Sequence, residues 1–314
     1  MNRPLITVIG PTAIGKSDLA VSIALYIKNT YGIDAEIISA DSRQIYKHLD
    51  IGTGKITAEE MKGIPHHMLD IIEPNDTSYS VFRYAEDVQN ILRDIYNRGA
   101  IPILCGGTGF YIDAIIFGNT GAEMPPHIEF QKELEAYPLE ELAEKLQTIA
   151  LEKKRDISHV DIKNKRRIIR ALDILEHDGV FAQKNTTQLY NVLHIGLDTT
   201  TEKLRERIQK RLDARIQAGM LEESQKLLDS NMLTHERMQK LGLEYTFMSQ
   251  LITHKLTLPE CIEKLFFATW HYAKRQRVWF KKYTDVYWLD AELVKENPKQ
   301  AHDLVDVFFS QHKN

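Results

Sequence analysis

One stretch near the amino terminus constrains the fold more than any other, Gly10-Pro11-Thr12-Ala13-Ile14-Gly15-Lys16-Ser17. It fits the pattern G-x-x-x-x-G-K-[ST] at every position, and it lies between the apolar run Leu5–Ile9 and a segment with helical spacing of apolar residues. The glycines let backbone N–H groups approach a phosphate, and the helix amino terminus adds partial positive charge. Strand, loop and helix in this order predict a P-loop, in which Lys16 supplies a charge and the Ser17 hydroxyl a ligand for Mg²⁺.

Length, composition and charge limit the domain organisation, the binding partners and the location that we expect for the chain. With 314 residues, 43% of them hydrophobic, it can form one large domain or a core with an insertion. The formal net charge of −4 predicts that any nucleic-acid contact uses a local basic patch. Cys105 and Cys261 lack metal-ligand spacing, which favours a reduced, cytoplasmic setting. We expect no signal peptide and no membrane span, because the chain enters its first strand directly and no apolar run approaches about 20 residues.

Apolar strand candidates alternate with helical segments in the first and last parts of the chain. After the first strand they are Ala35–Ala40, Ile101–Cys105, Val192–Asp198 and Val286–Leu289. This alternation predicts an α/β fold, a P-loop NTPase-like parallel sheet flanked by helices. Residues 120–187 contain a Pro-Pro break and charged helical segments instead. We therefore expect a catalytic core made of 1–119 and 188–314, with an inserted all-helical subdomain at 120–187.

Polar residues follow two of the strand candidates, where ligands bind in open α/β sheets. Asp41 comes directly after Ala40 and is therefore expected beside the phosphate site. From its position alone it could hold Mg²⁺ through water, act as a general base or cap a helix. Thr108 lies in a second glycine turn, Gly106–Gly109. It could form a hydrogen bond to a substrate or serve the turn alone.

Several basic residues have two interpretations each. The run Lys163–Arg170 could contact a nucleic-acid backbone or form a solvated helix face. Arg207 and Arg211 lie four residues apart on a helix that we expect to end at Gly219, and could clamp phosphate oxygens. We take the pair His66-His67 as structural or loop residues. These features predict a P-loop enzyme but do not identify its acceptor.

Taken together, the motifs resemble those of the tRNA dimethylallyltransferases, which prenylate the adenosine 3′ of the anticodon. The resemblance covers most of the chain. Besides the P-loop it rests on stretches in the family's order, Ile38–Lys47, Asp50–Thr53, Pro65–Asp70, Gly106–Tyr111, Arg166–Leu172, and Ala273–Gln276 with Trp279–Phe280. The chain departs from the family pattern at Gly54, where the family has Ala, and at Phe130, Leu243 and Trp270.

The resemblance implies transfer of a dimethylallyl group from dimethylallyl diphosphate to N6 of that adenosine, with release of diphosphate. Residues 10–17 would bind the diphosphate with Mg²⁺ on Ser17, Lys16 and Arg211 would stabilise the leaving group, and Asp41 would act as base beside Thr108. The implied contacts to the tRNA anticodon stem-loop are Asp41, Ser42, Arg43, Gln44, Thr108, Arg166, Arg167, Ile168, Ile169, Arg170, Gln239, Lys240, Gly242, Lys274, Arg275 and Gln276. We expect a monomer.

Three alternatives to this interpretation remain at the level of sequence. An enzyme that prenylates free adenine nucleotides would have the same phosphate site, but it needs no basic insertion. A P-loop kinase that uses ATP would also share the site. A non-catalytic RNA-binding module would not need Lys16, Ser17, Asp41 and Thr108 together.

Overall fold

The computed structural model describes residues 3–120, 124–181 and 185–311. Its strands are β1 (Pro4–Ile9), β2 (Ala35–Ala40), β3 (His66–His67), β4 (Ile101–Gly106), β5 (Asn191–Asp198) and β6 (Val286–Asp290). They form one six-stranded sheet in the order β3-β2-β4-β1-β5-β6, and every neighbouring pair is parallel. The predicted α/β fold with a parallel sheet is therefore confirmed.

Helices cover both faces of this sheet. They are α1 (Lys16–Tyr31), α2 (Ala58–Met61), α3 (Val81–Asn97), α4 (Gly109–Ile116), α5 (Ile128–Leu134), α6 (Leu139–Glu152), α7 (Lys165–Glu176), α8 (Thr201–Gln217), α9 (Met220–Asp229), α10 (His235–Leu241), α11 (Leu243–Ile252), α12 (Leu258–Phe280), α13 (Ala291–Glu296) and α14 (Lys299–Ser310). Alternate residues of a strand point to opposite faces. Thus Ile6 and Val8 of β1 pack with α1 and α14, whereas Leu5 and Ile9 pack with α3 and α4.

A third apolar core places the carboxy-terminal helices beside the end of β2. It joins Ile45 and Leu49, which follow that strand, to Leu212 of α8, Tyr245 of α11 and Leu265 of α12. This packing brings α8 and α12 against the P-loop edge of the sheet. Among the described residues, none of the helices has both the length and the apolar character needed to cross a bilayer.

The predicted insertion contains α5, α6 and α7, which pack around an apolar core of their own. Leu142 and Leu146 of α6 meet Ile168 and Leu172 of α7 there, and all are buried. The limits of the insertion at 120 and 187 stay a prediction, because residues 121–123 and 182–184 lie outside the described ranges.

One local expectation was confirmed in part and another was wrong. The pair His66-His67, expected to be structural or loop residues, is structural, because it forms strand β3 and pairs with Ile37 and Ile38 of β2. Two residues are too few for a strand pattern to be visible in the sequence. The helix that begins at Thr201 has Ala218 as its carboxy-terminal cap, and Gly219 is the amino-terminal cap of α9. With φ of 99°, Gly219 turns the chain directly into the next helix.

Candidate active site

A cavity of about 290 Å³ opens where β1, β2 and β4 end, which is the edge of a parallel sheet that binds ligands. Most of the polar side chains that line it come from the P-loop, the turn after β2, and α8. They are Thr12, Lys16, Ser17, Asp18, Asp41, Gln44, Arg207 and Arg211. The structure thus brings together the predicted diphosphate loop, Asp41 and Arg211 around one space.

The P-loop is held in an open conformation by its glycines and by hydrogen bonds. A Cβ at Gly10 would lie only 2.4 Å from the Leu197 carbonyl oxygen, so the loop passes closer to β5 than any other residue type allows. Gly15, with φ of 97°, starts α1. The Lys16 ammonium donates to the Pro11 carbonyl at 2.7 Å, within the loop itself. This conformation agrees with the phosphate-binding loop that the sequence predicts.

Arg207 and Arg211 of α8 have different hydrogen-bond partners. Arg207 also lines the cavity, but its guanidinium donates to the backbone carbonyls of Ala13 and Ile14 at 3.0 and 3.1 Å and to the Glu292 carboxylate at 2.8 Å, so it supports the loop. Arg211 donates to the Thr12 hydroxyl and also lines the cavity. The hydrogen bonds of Arg207 to the backbone occupy its guanidinium, whereas Arg211 bonds to a side chain. Arg211 is therefore better placed to bind an anion.

The cavity contains half-buried cations that an anion would stabilise. Burial lowers the pKa of Lys16 to about 8. Burial, and next the neighbouring charge of Arg215, lower the pKa of Arg211 to about 9, while Glu244 and Asp41 act in the opposite direction. Desolvation disfavours the charged forms of these groups, and the negative charge of a bound phosphate compensates for the hydration that they have lost. The electrostatics of the pocket therefore suit a polyanion such as diphosphate.

Asp41 and Thr108 lie at neighbouring strand ends and are linked through one turn. The carboxylate of Asp41 accepts a hydrogen bond from the Arg43 backbone N–H at 2.8 Å, and the Thr108 hydroxyl accepts one from the Ser42 N–H at 3.1 Å. Residues 42–45 form a turn, so Asp41 does not cap an α-helix. Asp41 also lines the cavity, so the metal-binding and general-base alternatives stay open.

Two α12 residues at this site have roles that the sequence did not reveal. Gln276, expected to contact tRNA, is 5% exposed. Its amide accepts from the Thr12 N–H at 2.7 Å and donates to the Gly107 carbonyl at 2.8 Å, which joins the two glycine turns. Tyr272 is hydrogen-bonded to Thr108, and burial raises its pKa to about 12, with a further contribution from Asp41. Their spacing of four places both on one face of α12 and is the signal that could have found them.

The predicted tRNA contacts in the insertion separate into exposed and buried groups. Arg166 and Arg167 are exposed on α7. Ile168 and Ile169 are only 0% and 5% exposed, because they form the core of the insertion, so their assignment as contacts was wrong. Arg170 donates to the Asp173 carboxylate and to the Met124 carbonyl, so its guanidinium serves the insertion itself.

The other predicted contacts lie on the core. Gln239 and Lys240 are exposed on α10, and Lys274 and Arg275 are exposed on α12. A Cβ at Gly242 would lie 3.9 Å from the Arg43 guanidinium, so the turn after β2 adjoins the end of α10. Ser42, Arg43 and Gln44 are each partly exposed in that turn. Of these residues, Gln44 also lines the cavity.

A partly buried polar network supports the loop 50–54 at the cavity wall. The Glu223 carboxylate accepts from the backbone N–H groups of Asp50, Ile51 and Gly52 at 3.0, 2.7 and 3.0 Å. Arg215 donates to the Gly52 carbonyl at 3.1 Å. Gln44, at the cavity wall, donates to the carbonyl of Gly54 at 3.1 Å. The sequence predicts no role for Glu223 or Arg215, because they act on a loop that lies 172 and 163 residues away in the sequence.

We expect Gly54→Ala to destabilise the protein by about 2–4 kcal/mol, because strain at positive φ adds to a steric clash. Gly54 has φ of +61°, and a Cβ there would lie 1.8 Å from the Arg215 guanidinium. Gly63, with φ of +76° and nothing within 4 Å of its Cβ position, is the matched control. Urea unfolding of Gly54→Ala and Gly63→Ala measures the difference. Equal losses would show that Arg215 moves aside without cost.

The parallel sheet and the cationic cavity define a protein of the P-loop class with a phosphate site beside a carboxylate. Comparison with known proteins then assigns the family. The family model described as IPP transferase matches residues 44–283. The tRNA dimethylallyltransferase of Bacillus velezensis is 37% identical over 294 residues, which cover 92% of this chain and 91% of that protein. The chain belongs to the tRNA dimethylallyltransferase family.

Solved structures agree with this assignment over almost the whole chain. The tRNA isopentenylpyrophosphate transferase of Bacillus halodurans superposes with a TM-score of 0.69 at 32% identity, covering 99% of both chains. A eukaryotic dimethylallyltransferase acting on tRNA gives a TM-score of 0.78 at 25% identity, covering 98% of this chain and 80% of that one.

Proposed function

We propose that this protein transfers a dimethylallyl group from dimethylallyl diphosphate to N6 of the adenosine 3′ of the anticodon in tRNA, releasing diphosphate. One observation carries the proposal: Asp41 lines the same cavity as the half-buried cations Lys16 and Arg211. An acceptor nitrogen at the carboxylate and a leaving diphosphate at the cations would then occupy one space. Family membership supplies the identity of the donor and acceptor.

The reaction divides between the two sides of the cavity. N6 of adenosine attacks C1 of the dimethylallyl group, the C1–O bond breaks, and its electron pair leaves with the diphosphate. Lys16 and Arg211 face the oxygens on which negative charge grows, which is where fixed cations lower a barrier most. Asp41 accepts the proton that N6 loses. Thr108 and Tyr272, which are hydrogen-bonded to each other, position the turn that carries Asp41.

The oxygen donors at this site fit Mg²⁺. Mg²⁺ prefers hydroxyl, carboxylate, phosphate and water oxygens. Ser17, which carries a hydroxyl, and Asp41, which carries a carboxylate, both line the cavity. Ser17 would hold the ion directly, as in other P-loops, with the diphosphate supplying further oxygens. When bound, Mg²⁺ neutralises charge on the departing diphosphate.

The tRNA would lie across the exposed cations of α7, α10 and α12. Arg166 and Arg167 of the insertion face solvent, as do Lys274 and Arg275 of the core. Lys240 lies between the two parts, with its ammonium 3.9 Å from the carboxylate of Glu135, which follows α5. Although the net charge of the chain is −4, the exposed cations on these helices provide local positive charge for contact with a stem-loop backbone. The adenosine must leave its stack to reach the cavity.

We expect Arg167→Gln to weaken tRNA binding roughly equally for all substrate tRNAs and to reduce the slope of log K against log salt by about 0.7–0.9, because one phosphate contact is lost. Titrations of a labelled stem-loop at several salt concentrations measure this. Lys28→Gln is the control: it removes an exposed cation from the last turn of α1, about 18 Å along that helix from Lys16. Identical slopes in Arg167→Gln and wild type would remove Arg167 from the interface.

We expect kcat/KM for dimethylallyl diphosphate to fall as the pH rises through about 8, the pKa of Lys16. The sign follows from the charge, since Lys16 binds the diphosphate as an ammonium and loses that charge above its pKa. In the pH profile of kcat this fall is absent or shifted to higher pH, because a bound diphosphate raises the pKa of Lys16 again. Lys16→Arg moves the limb to higher pH, and a profile of this variant that overlays wild type would assign the limb to another group.

A single incubation tests the proposed function. The purified protein, Mg²⁺ and dimethylallyl diphosphate are mixed with an unmodified anticodon stem-loop, with AMP and ATP present as competing acceptors. Mass spectrometry should find one added dimethylallyl group on the stem-loop alone. A gain on AMP or ATP would assign the protein to the enzymes that prenylate free nucleotides. Hydrolysis of ATP with no prenylated product would indicate a kinase or ATPase.

A further inference from the structure

The helical insertion contains a cluster of two histidines and one aspartate that the proposed reaction does not use. Asp173 and His177 lie on α7 and at its end, and His127 directly precedes α5. Nδ1 of His127 is 2.8 Å and Nδ1 of His177 is 3.2 Å from the same oxygen of Asp173, Oδ1. These three atoms lie within 4.8 Å of one another. None of the three residues lines the phosphate cavity.

The Asp173 carboxylate is fixed in one orientation. Its side chain is fully buried. Its second oxygen, Oδ2, accepts from the His127 N–H at 3.2 Å, from the Gln131 amide at 2.6 Å and from the Arg170 guanidinium at 2.6 Å. With Oδ2 saturated, Oδ1 is presented to the two imidazoles. Metal-binding carboxylates are typically oriented by hydrogen-bond donors of this kind, which bind the carboxylate but not the metal.

Three donors on Oδ2 therefore leave Oδ1 directed at the histidines. The site offers one carboxylate oxygen and two imidazole nitrogens.

The two histidines are accessible, unlike the aspartate. Their side chains are 43% and 33% exposed, and the rings stack at 3.6 Å between centroids. To direct both Nδ1 atoms at one ion the rings must tilt apart, and His177 must release its hydrogen bond to the Asp173 carbonyl. Their exposure gives them the room to do so, and it lets water complete the coordination.

We propose that His127, Asp173 and His177 bind one divalent transition-metal ion of the Zn²⁺ class. Two imidazole nitrogens with a single carboxylate oxygen select such ions over Mg²⁺ and Ca²⁺, which prefer oxygen alone. Three protein ligands leave a position for water. The ion joins residues 46 apart and thereby ties the segment before α5 to α7, the helix that carries Arg166 and Arg167.

The test uses the full-length chain after removal of metals with EDTA. Equilibrium dialysis against ZnCl₂ with elemental analysis should find one Zn²⁺ per chain in wild type. His127→Ala and His177→Ala should each weaken binding by at least about tenfold. His159→Ala removes an exposed histidine of the same insertion, which contacts Phe181 instead, and should bind as wild type does. Thermal unfolding should shift upward with ZnCl₂ in wild type and much less in the two variants.

Co²⁺ provides a readout that does not depend on stability. Wild type should give the visible d–d absorption of a low-coordinate Co²⁺ site, and His127→Ala/His177→Ala should not. Retention of Zn²⁺ by this double variant at the wild-type level would overturn the proposal. So would a wild-type chain that holds no Zn²⁺, or one in which equimolar Mg²⁺ displaces it. These outcomes are independent of prenyl transfer, because none of them measures it.

Discussion

Replacing Asp41 by asparagine should lower the rate of prenyl transfer by about 10²–10⁴-fold while tRNA binding stays nearly unchanged. The exocyclic amine of adenosine is a weak nucleophile, and its attack is assisted by a group that takes its proton. Asparagine cannot do so, yet its amide oxygen can still accept the hydrogen bond that the Arg43 N–H makes to Asp41 at 2.8 Å. The turn after β2 is thus preserved, and the loss reports chemistry.

Single-turnover mass spectrometry with saturating dimethylallyl diphosphate measures that rate, and stem-loop titration measures binding. Asp18→Asn is the control, because it removes the same charge from the first turn of α1, where Asp18 also lines the cavity. It should change the rate far less. If both variants lose activity equally, the negative charge of the cavity matters and Asp41 is not the base. If Asp41→Asn remains fully active, another group accepts the proton.

The sheet and the P-loop could be predicted because their signals are local. An apolar run, a glycine loop and a helical periodicity specify β1, the loop and α1 within about 30 residues, and the same alternation recurs for β2 and β4. Strand β3 was not predicted, because two residues are too few to show an alternation of apolar and polar side chains. Gly219 was misplaced because a glycine at positive φ serves equally as the end of one helix or the start of the next.

The resemblance to a family gave the positions of the motifs, but it did not show which side chains within each motif are buried and which are exposed. Ile168 and Ile169 lie within a basic stretch, yet their spacing with Leu172 is that of a buried helix face, and the structure buries all three. Gln276 lies in a motif with exposed Lys274 and Arg275, but faces the opposite way, into the two glycine turns. Helical periodicity applied inside each motif would have separated these groups.

Contacts between distant parts of the chain could not be predicted at all. The Glu223 carboxylate meets the N–H groups of a loop more than 170 residues earlier. His127 and Asp173 meet across 46 residues. Such pairs depend on how α5, α7 and α9 pack, and a single sequence has no pattern that reports helix packing of this kind.

The second large effect is expected for Lys16→Ala, which should lower kcat by about 10²–10³-fold with a much smaller change in KM. The side chain is half-buried, and its desolvation lowers the pKa to about 8, so it meets the diphosphate with reduced competing solvation. Charge on the leaving oxygen grows as the C1–O bond breaks. A fixed cation therefore binds the transition state more tightly than the ground state, and its loss appears in kcat.

Single-turnover rates at saturating donor distinguish this from a slower release of diphosphate. Lys16→Arg keeps the charge and should retain more activity than Lys16→Ala, though its planar, bulkier head cannot reproduce the 2.7 Å contact with the Pro11 carbonyl. A rise in KM with kcat unchanged would mean that Lys16 only holds the donor. Stabilisation of the leaving group would then rest on Arg211, and Arg211→Gln would carry the loss in kcat instead.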